Sequence, residues 1–186
     1  MSQVTNPAGE GGMSGFTYHR GWADLTESDA NEIIEFWQQE SALPRGQDPR
    51  RRVSQVVMFA RDRDGQVAAV GTAVPQRPAQ LGQPVYYYRS YVAPQWRHTR
   101  VVYNLLRKGV RLLEEDARAH DWPCIGVLLE LENKRFGEAG RMPVWPRIEF
   151  VYVGRSPRGL ECRVHWFRQA KLKDPGDEVR QARPAQ

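Results

Sequence analysis

One succession of segments restricts this fold more than any other: a strand, a long one-sided helix and a second strand, set between Val85 and Leu131. Val85-Tyr86-Tyr87-Tyr88-Arg89-Ser90-Tyr91-Val92 is β-branched and aromatic, as strands are. Val102, Leu105, Leu106, Val110, Leu113 and Ala117 then fall in one apolar stripe at helical spacing. Arg107, Arg111, Glu115 and Arg118 mark the solvated side, where Arg111–Glu115 and Glu114–Arg118 form i,i+4 pairs. Cys124 to Leu131 is nearly continuous apolar sequence, which suits a strand covered on both faces. Strand, helix and strand joined by short turns make a βαβ crossover, so the sheet must contain at least one parallel pair.

The remaining segments build an α/β domain around that unit. Phe16-Thr17-Tyr18-His19-Arg20 alternates like a first strand, and Thr26 opens a helix running to about Glu40, with Asp29 expected to reach back to the Thr26 amide. Pro49 to Val53 predicts a short helical turn. Gln55–Arg61 and Gln66–Pro75 predict a hairpin around Asp62-Arg63-Asp64-Gly65, where Gly65 supplies the positive φ, and Gly71 predicts a bulge in the second arm. Asn133 to Gly140 has weak helical character, and Pro143 and Pro146 impose an irregular segment. Ile148–Gly154 and Glu161–Phe167 read as two closing strands, while Trp37 and Trp166 read as core. The order is β-α-(α)-β-β-β-α-β-α-β-β. Residues 1–15 read as a disordered N-terminus, 16–170 as the domain and 171–186 as a flexible charged tail.

Bulk properties narrow the function classes. A chain of 186 residues, 40% hydrophobic, is long enough for one real core. No apolar run approaches the ~20 residues of a membrane span, and no signal-peptide pattern opens the chain, so a cytoplasmic location is expected. Cys124 and Cys162 lie in strand-like runs and read as buried thiols, and no Cys/His spacing points to a metal. The net charge of +5 favours anionic ligands. Arg50-Arg51-Arg52 lacks aromatic interleaving, which sets nucleic-acid binding behind a phosphate-rich cofactor.

The junction from Tyr91 to Leu106 carries the chemistry. A helix that begins directly after a strand turns its free N–H groups toward the strand end, where they can hold a pyrophosphate. Val92, Pro94, Trp96, Arg97, Leu105 and Leu106 fall in register with the segment Val-x-Pro-x-(Tyr/Trp)-Arg-Gly-x-Gly-x-Gly/Ala…Leu-Leu. In this respect the chain resembles the GNAT superfamily of N-acetyltransferases over roughly residues 16–168. Gly71 and Glu132-Asn133 give lesser support. Arg100 and Val102 stand where that segment carries two of its glycines.

The resemblance implies a single GNAT-type domain with a mixed, splayed central sheet, parting between Val92 and Cys124. It implies acetyl-CoA or another acyl-CoA as co-substrate and a small-molecule or protein amine as acceptor, while the cysteine and histidine spacing and the lack of a long apolar run leave no metal and no membrane expected. A homodimer is also expected from it. Tyr91 and Val92 would contact pantetheine through their backbone. Arg97, His98, Thr99, Arg100, Val101 and Val102 would surround the pyrophosphate, with Asn133 as a further cofactor contact. Glu130 is the candidate base, Tyr152 a candidate acid, and Trp145 a candidate wall of the acceptor pocket. The alternative is a catalytically silent GNAT-like module that binds another ligand or a protein.

Overall fold

The computed structural model describes residues 15–132 and 141–174. In chain order the elements are β1 (Thr17–Arg20), α1 (Glu27–Gln39), α2 (Pro49–Val53), β2 (Val56–Arg61), β3 (Val67–Gln76) and β4 (Val85–Val92). A 3-10 turn at Pro94–Trp96 leads to α3 (Val101–Ala119), followed by β5 (Gly126–Leu131), β6 (Val144–Trp145), β7 (Phe150–Arg155) and β8 (Glu161–Trp166). The strands form one sheet in the order β1-β2-β3-β4-β5-β8-β7-β6. Among the described residues only β4–β5 is parallel, and α3 makes that crossover.

Helices cover both faces. On one, Ile33, Phe36 and Trp37 of α1 pack on Val56, Phe59 and Val70. On the other, Leu105, Leu106, Val110 and Leu113 of α3 pack on Val57, Met58, Tyr86, Tyr88, Val127 and Leu129. Full burial of a side chain such as Leu105 or Leu113 contributes about 1.5–3 kcal/mol. Val101 rather than Val102 heads the buried stripe of α3, which leaves Val102 half-buried near the sheet.

Several expectations change in detail. The Thr26 hydroxyl does accept from Asp29 N–H at 3.1 Å, but the Asp29 carboxylate does not reach the Thr26 amide. It takes the Thr26 hydroxyl proton at 2.6 Å and pairs with Arg61 at 2.7 Å, because β2 brings that guanidinium beside the helix start. Glu114 accepts the Arg168 N–H at 2.7 Å. The segment containing Pro143 and Pro146 carries the short strand β6, which pairs with Phe150 and Val151 of β7. Trp166 is 38% exposed, since alternation along β8 gives the core face to His165 and Phe167 is buried beyond it. Within the expected tail, Lys173 N–H donates to the Gln83 side-chain Oε1 at 2.9 Å and its carbonyl accepts from Gln83 Nε2 at 3.1 Å. The readings of 1–14, 133–140 and 175–186 lie outside the described residues.

Gly71 has a different reason from the one its sequence position suggested. The register shift is on the facing strand, at Val57, between the pairs Val56–Thr72 and Met58–Gly71. A Cβ on Gly71 would lie 1.9 Å from the Tyr88 hydroxyl and 2.7 Å from its Cζ. On α3, a Cβ at Gly109 would meet the same ring at 3.2 Å. The two glycines thus make the slot that holds Tyr88 between sheet and helix. The Tyr88 hydroxyl is buried there without a hydrogen-bond partner among the described residues. Gly71→Ala should therefore destabilise the domain by about 1–3 kcal/mol through overpacking. Tyr88→Phe alone should leave stability unchanged or raise it, since no hydrogen bond is lost. Urea unfolding of both variants checks this, and a neutral Gly71→Ala would refute the slot.

Candidate functional site

The sheet parts where the parallel pair β4–β5 ends. β4 pairs with β5 at Tyr86, Tyr87 and Tyr88, opposite Val127, Leu128 and Leu129. Beyond this β4 stays with β3 as far as Val92, while Glu130 and Leu131 stay with Cys162 and Glu161 of β8. A cleft of about 600 Å³ opens between the two halves. Its walls include Tyr87–Val92, Leu129–Glu132, Trp37 and Leu43 from the α1 side, Val102 and Leu106 of α3, and Trp145.

Strand alternation fixes which backbone groups face the gap. Ala93 N–H bonds to Ala68 C=O of β3 at 3.0 Å. Both backbone groups of a strand residue point to the same side, and that side alternates along the strand. Tyr91 therefore turns its backbone to β3, whereas Ser90 and Val92 turn theirs to the gap. The Val92 carbonyl accepts from Arg97 Nε at 3.1 Å.

At the far end of β4 the chain turns into α3. Trp96 anchors the turn by packing edge-on against Phe16, with ring centroids 5.0 Å apart. Arg97 folds back over the Tyr91 ring and donates to its hydroxyl at 3.3 Å. The Thr99 hydroxyl donates to Trp96 C=O at 2.7 Å and accepts from Val101 N–H at 3.2 Å, capping one orphan amide of α3. Asn104 N–H closes the first helical bond, to Arg100 C=O at 3.0 Å. Arg100 has φ −83°, a conformation open to any residue, so the backbone path here does not demand glycine. Its side chain is exposed and makes no hydrogen bond to a described residue.

The sheet face covered by α1 and α2 carries the charged part of the cleft. Arg50 and Arg51 point to solvent, while Arg52 is only 9% exposed and donates to Thr72 Oγ1 at 2.7 Å and Gln55 Oε1 at 3.2 Å. Burial, together with the neighbouring Arg89, lowers the Arg52 pKa to about 10, which leaves it cationic at neutral pH. Arg89 lies directly opposite Thr72 and stacks over the Tyr87 ring at 4.6 Å. The Tyr87 hydroxyl donates to Glu130 Oε2 at 2.5 Å, and Arg158 bridges Glu130 and Glu132 at 3.0 Å each. Burial alone would raise the Glu130 pKa. Hydrogen bonds from Ser156 and Tyr87 and the Arg158 guanidinium outweigh burial and hold the carboxyl below its usual range.

Of the residues singled out from sequence, Tyr91, Val92, Arg97, Val102, Glu130 and Trp145 all line this cleft. His98, Thr99, Arg100 and Val101 belong to the turn at its end, where Val101 is buried and His98 exposed. Asn133 lies outside the described residues. Trp145 is held by the Arg163 guanidinium, 4.4 Å from its ring centroid, and Arg163 is itself buried. Tyr152 does not line the cleft; it pairs with Arg163 on the face opposite Glu130 and is 42% exposed. Ser90, Arg52, Thr72, Tyr87 and Arg89 escaped the sequence reading. The period-2 alternation Tyr87-Arg89-Tyr91 could have grouped three side chains on one face, but nothing in Arg50-Arg51-Arg52 says which guanidinium turns inward.

At the level of sequence, no family model and no curated protein matches this chain. Solved structures do match its fold. A GCN5-related N-acetyltransferase from Kribbella flavida superposes with a TM-score of 0.55 at 14% identity, covering 82% of this chain and 98% of that one. A GNAT-family acetyltransferase from Streptococcus pneumoniae gives 0.54 at 10% identity, with coverages of 81% and 99%. The ribosomal-protein-S5-alanine acetyltransferase from Vibrio fischeri gives 0.54 at 8%, with 86% and 97%. With the open mixed sheet and its parted central strands, these similarities establish that the chain has the GNAT fold.

Proposed function

We propose that this chain is an acyl-CoA-dependent N-acyltransferase that moves an acetyl group to an amine by direct attack. The observation that carries the reading is the unpaired stretch of β4 running straight into a capped helix start. When bound, the acyl-CoA supplies an activated thioester, whose C–S bond breaks as the amine N–C bond forms. Ser90 and Val92 offer backbone donors along the gap, aimed where negative charge develops on the thioester oxygen. Val102, beside the N-terminus of α3, and the guanidinium groups of Arg97 and Arg100 suit a pyrophosphate. Glu130, ionised throughout the neutral range, attracts the ammonium form of the acceptor, which gives up one proton to solvent before the free amine attacks. Glu130 is a weak base, so it takes the second proton once attack has made the nitrogen acidic, and the departing CoA thiolate is protonated from solvent. Trp145 lines the cleft from the opposite sheet face, the one that α3 covers.

A cytoplasmic setting belongs to the same proposal, supported by two buried free cysteines. No described helix is long and apolar enough to cross a membrane. A homodimer is supported by the exposed Val144, Tyr152 and Trp166 on the strands at the β6 end of the sheet. One observation favours the alternative of a silent binding module: Arg97 already occupies the Val92 carbonyl.

Acetyl-CoA at 100 times its Kd should raise stability by about 2.7 kcal/mol in thermal unfolding. No shift with any acyl-CoA favours the silent module. Arg100→Ala should weaken CoA binding by about 1.5–3 kcal/mol in calorimetric titration, and equal binding would remove Arg100 from the phosphate site.

Glu130 also links the site to acid stability. Its folded pKa is depressed, so its contribution is fully present above the unfolded value of about 4.3 and fades as pH falls through the folded one. Glu130→Gln should cost about 1 kcal/mol at pH 7. The gap to wild type should close on acidification below about pH 4.3. A gap that stays constant with pH contradicts this assignment.

A further inference from the structure

Two guanidinium groups on the acceptor side of the cleft have no use in the proposed transfer as described so far. Arg52 is buried, yet its recorded hydrogen bonds go to neutral oxygens, those of Thr72 and Gln55. Among the described residues no carboxylate lies within salt-bridge distance of either Arg52 or Arg89. Two neighbouring guanidiniums are paired by contrast: Arg158 holds Glu130 and Glu132, and Arg163 holds Glu161. A buried cation without a counter-ion is costly, and the cost is recovered only when an anion arrives. Thr72 ties the two arginines into one group, since it accepts from Arg52 and stands opposite Arg89 on the same sheet face. A guanidinium has five N–H donors, and Arg52 spends two of them here.

Resting on the acyltransferase reading above, we infer that the acceptor is an amine bearing an oxyanion, a carboxylate or a phosphonate or phosphate group, which docks between Arg52 and Arg89. Arg52 and Arg89 lie beside α2, while Arg97, stacked over Tyr91 further along the same sheet face, and Arg100 belong to the turn into α3. The inference gives the first group to the acceptor and the second to the cofactor phosphate. Glu130, joined to Tyr87 under the Arg89 stack, provides the negative end for the ammonium of the same molecule. The cleft is thus charged oppositely at two neighbouring points, as a zwitterion requires. Fork-shaped guanidinium donors match the planar, bidentate geometry of a carboxylate and the faces of a phosphonate.

The test compares amines matched in length: β-alanine and 2-aminoethylphosphonate against propylamine, and 6-aminohexanoate against hexylamine. CoA thiol release is followed with acetyl-CoA as donor, and thermal unfolding with each amine is measured without acetyl-CoA. The anionic amines should show KM values at least ten-fold below those of the neutral ones, and the two anion types separate carboxylate from phosphonate recognition. Arg89→Gln, an exposed position, should raise KM for the anionic amine about ten-fold or more and so remove most of its advantage over the matched neutral amine. Arg52→Met should do the same where it folds, and Arg89→Gln decides alone where it does not. Turnover with neutral amines as good as with anionic ones, or an Arg89→Gln variant with unaltered discrimination, overturns the inference and leaves the acyltransferase reading standing. Stabilisation by an anionic amine that is lost in Arg89→Gln, without any acetyl-CoA binding, upholds the anion site and removes the acyltransferase reading instead. If no amine is turned over and none shifts the unfolding temperature, the anion site is refuted.

Discussion

The architecture depends on the point at which β4 and β5 stop pairing. A parallel pair buried under helices on both faces ordinarily satisfies its backbone groups along its whole length. Here the ladder ends at Tyr88 and Leu129, and each strand keeps only its outer partner. Tyr88, the last paired residue of β4, sits in the slot left by Gly71 and Gly109, which locks β3, β4 and α3 together just before the parting. The strand edge beyond it is therefore held open by packing on its other sides. It forms a fixed wall of backbone donors and acceptors, the kind of preorganised surface that polarises a carbonyl without reorganisation during reaction.

Electrostatics then divides the cleft. At the α3 end the charges are guanidiniums on a short turn whose backbone is already in allowed conformations, with Thr99 supplying a cap. The replacement of glycines by Arg100 and Val102 is thus compatible with the turn itself, and bears only on how closely a phosphate can approach. On the α1–α2 face, Glu130 is neutralised in part by Arg158 and held by Tyr87, while no carboxylate among the described residues pairs with Arg52 or Arg89. One cleft therefore presents cationic groups at two places, beside α2 and on the turn into α3.

Most elements were legible because their signals are local. The α3 stripe, the Thr26 cap, the Gly65 turn and the apolar run of β5 each declare themselves within a few residues. What stayed hidden depends on pairs distant in sequence. Gly71 answers to Tyr88 across two strands, Asp29 turns to Arg61 on β2, and Arg52 is buried because Thr72 and Gln55 receive it. Tyr152 shows the same limit: its strand was identified, but its face depends on the β7–β8 register, which no local pattern encodes. Ser90 was passed over because its contribution is backbone direction, and a sequence motif names side chains.

Hydrogen exchange at single amides tests the open strand edge most directly. In the free protein the amides of Ser90 and Val92 should exchange far faster than those of Tyr86 and Tyr88 on the same strand. Saturating acetyl-CoA should slow Ser90 and Val92 while leaving Tyr86 and Tyr88 unchanged. Rates at Ser90 and Val92 that are already slow in the free protein, or that do not respond to acetyl-CoA, would contradict the assignment of this edge as the acyl-CoA site.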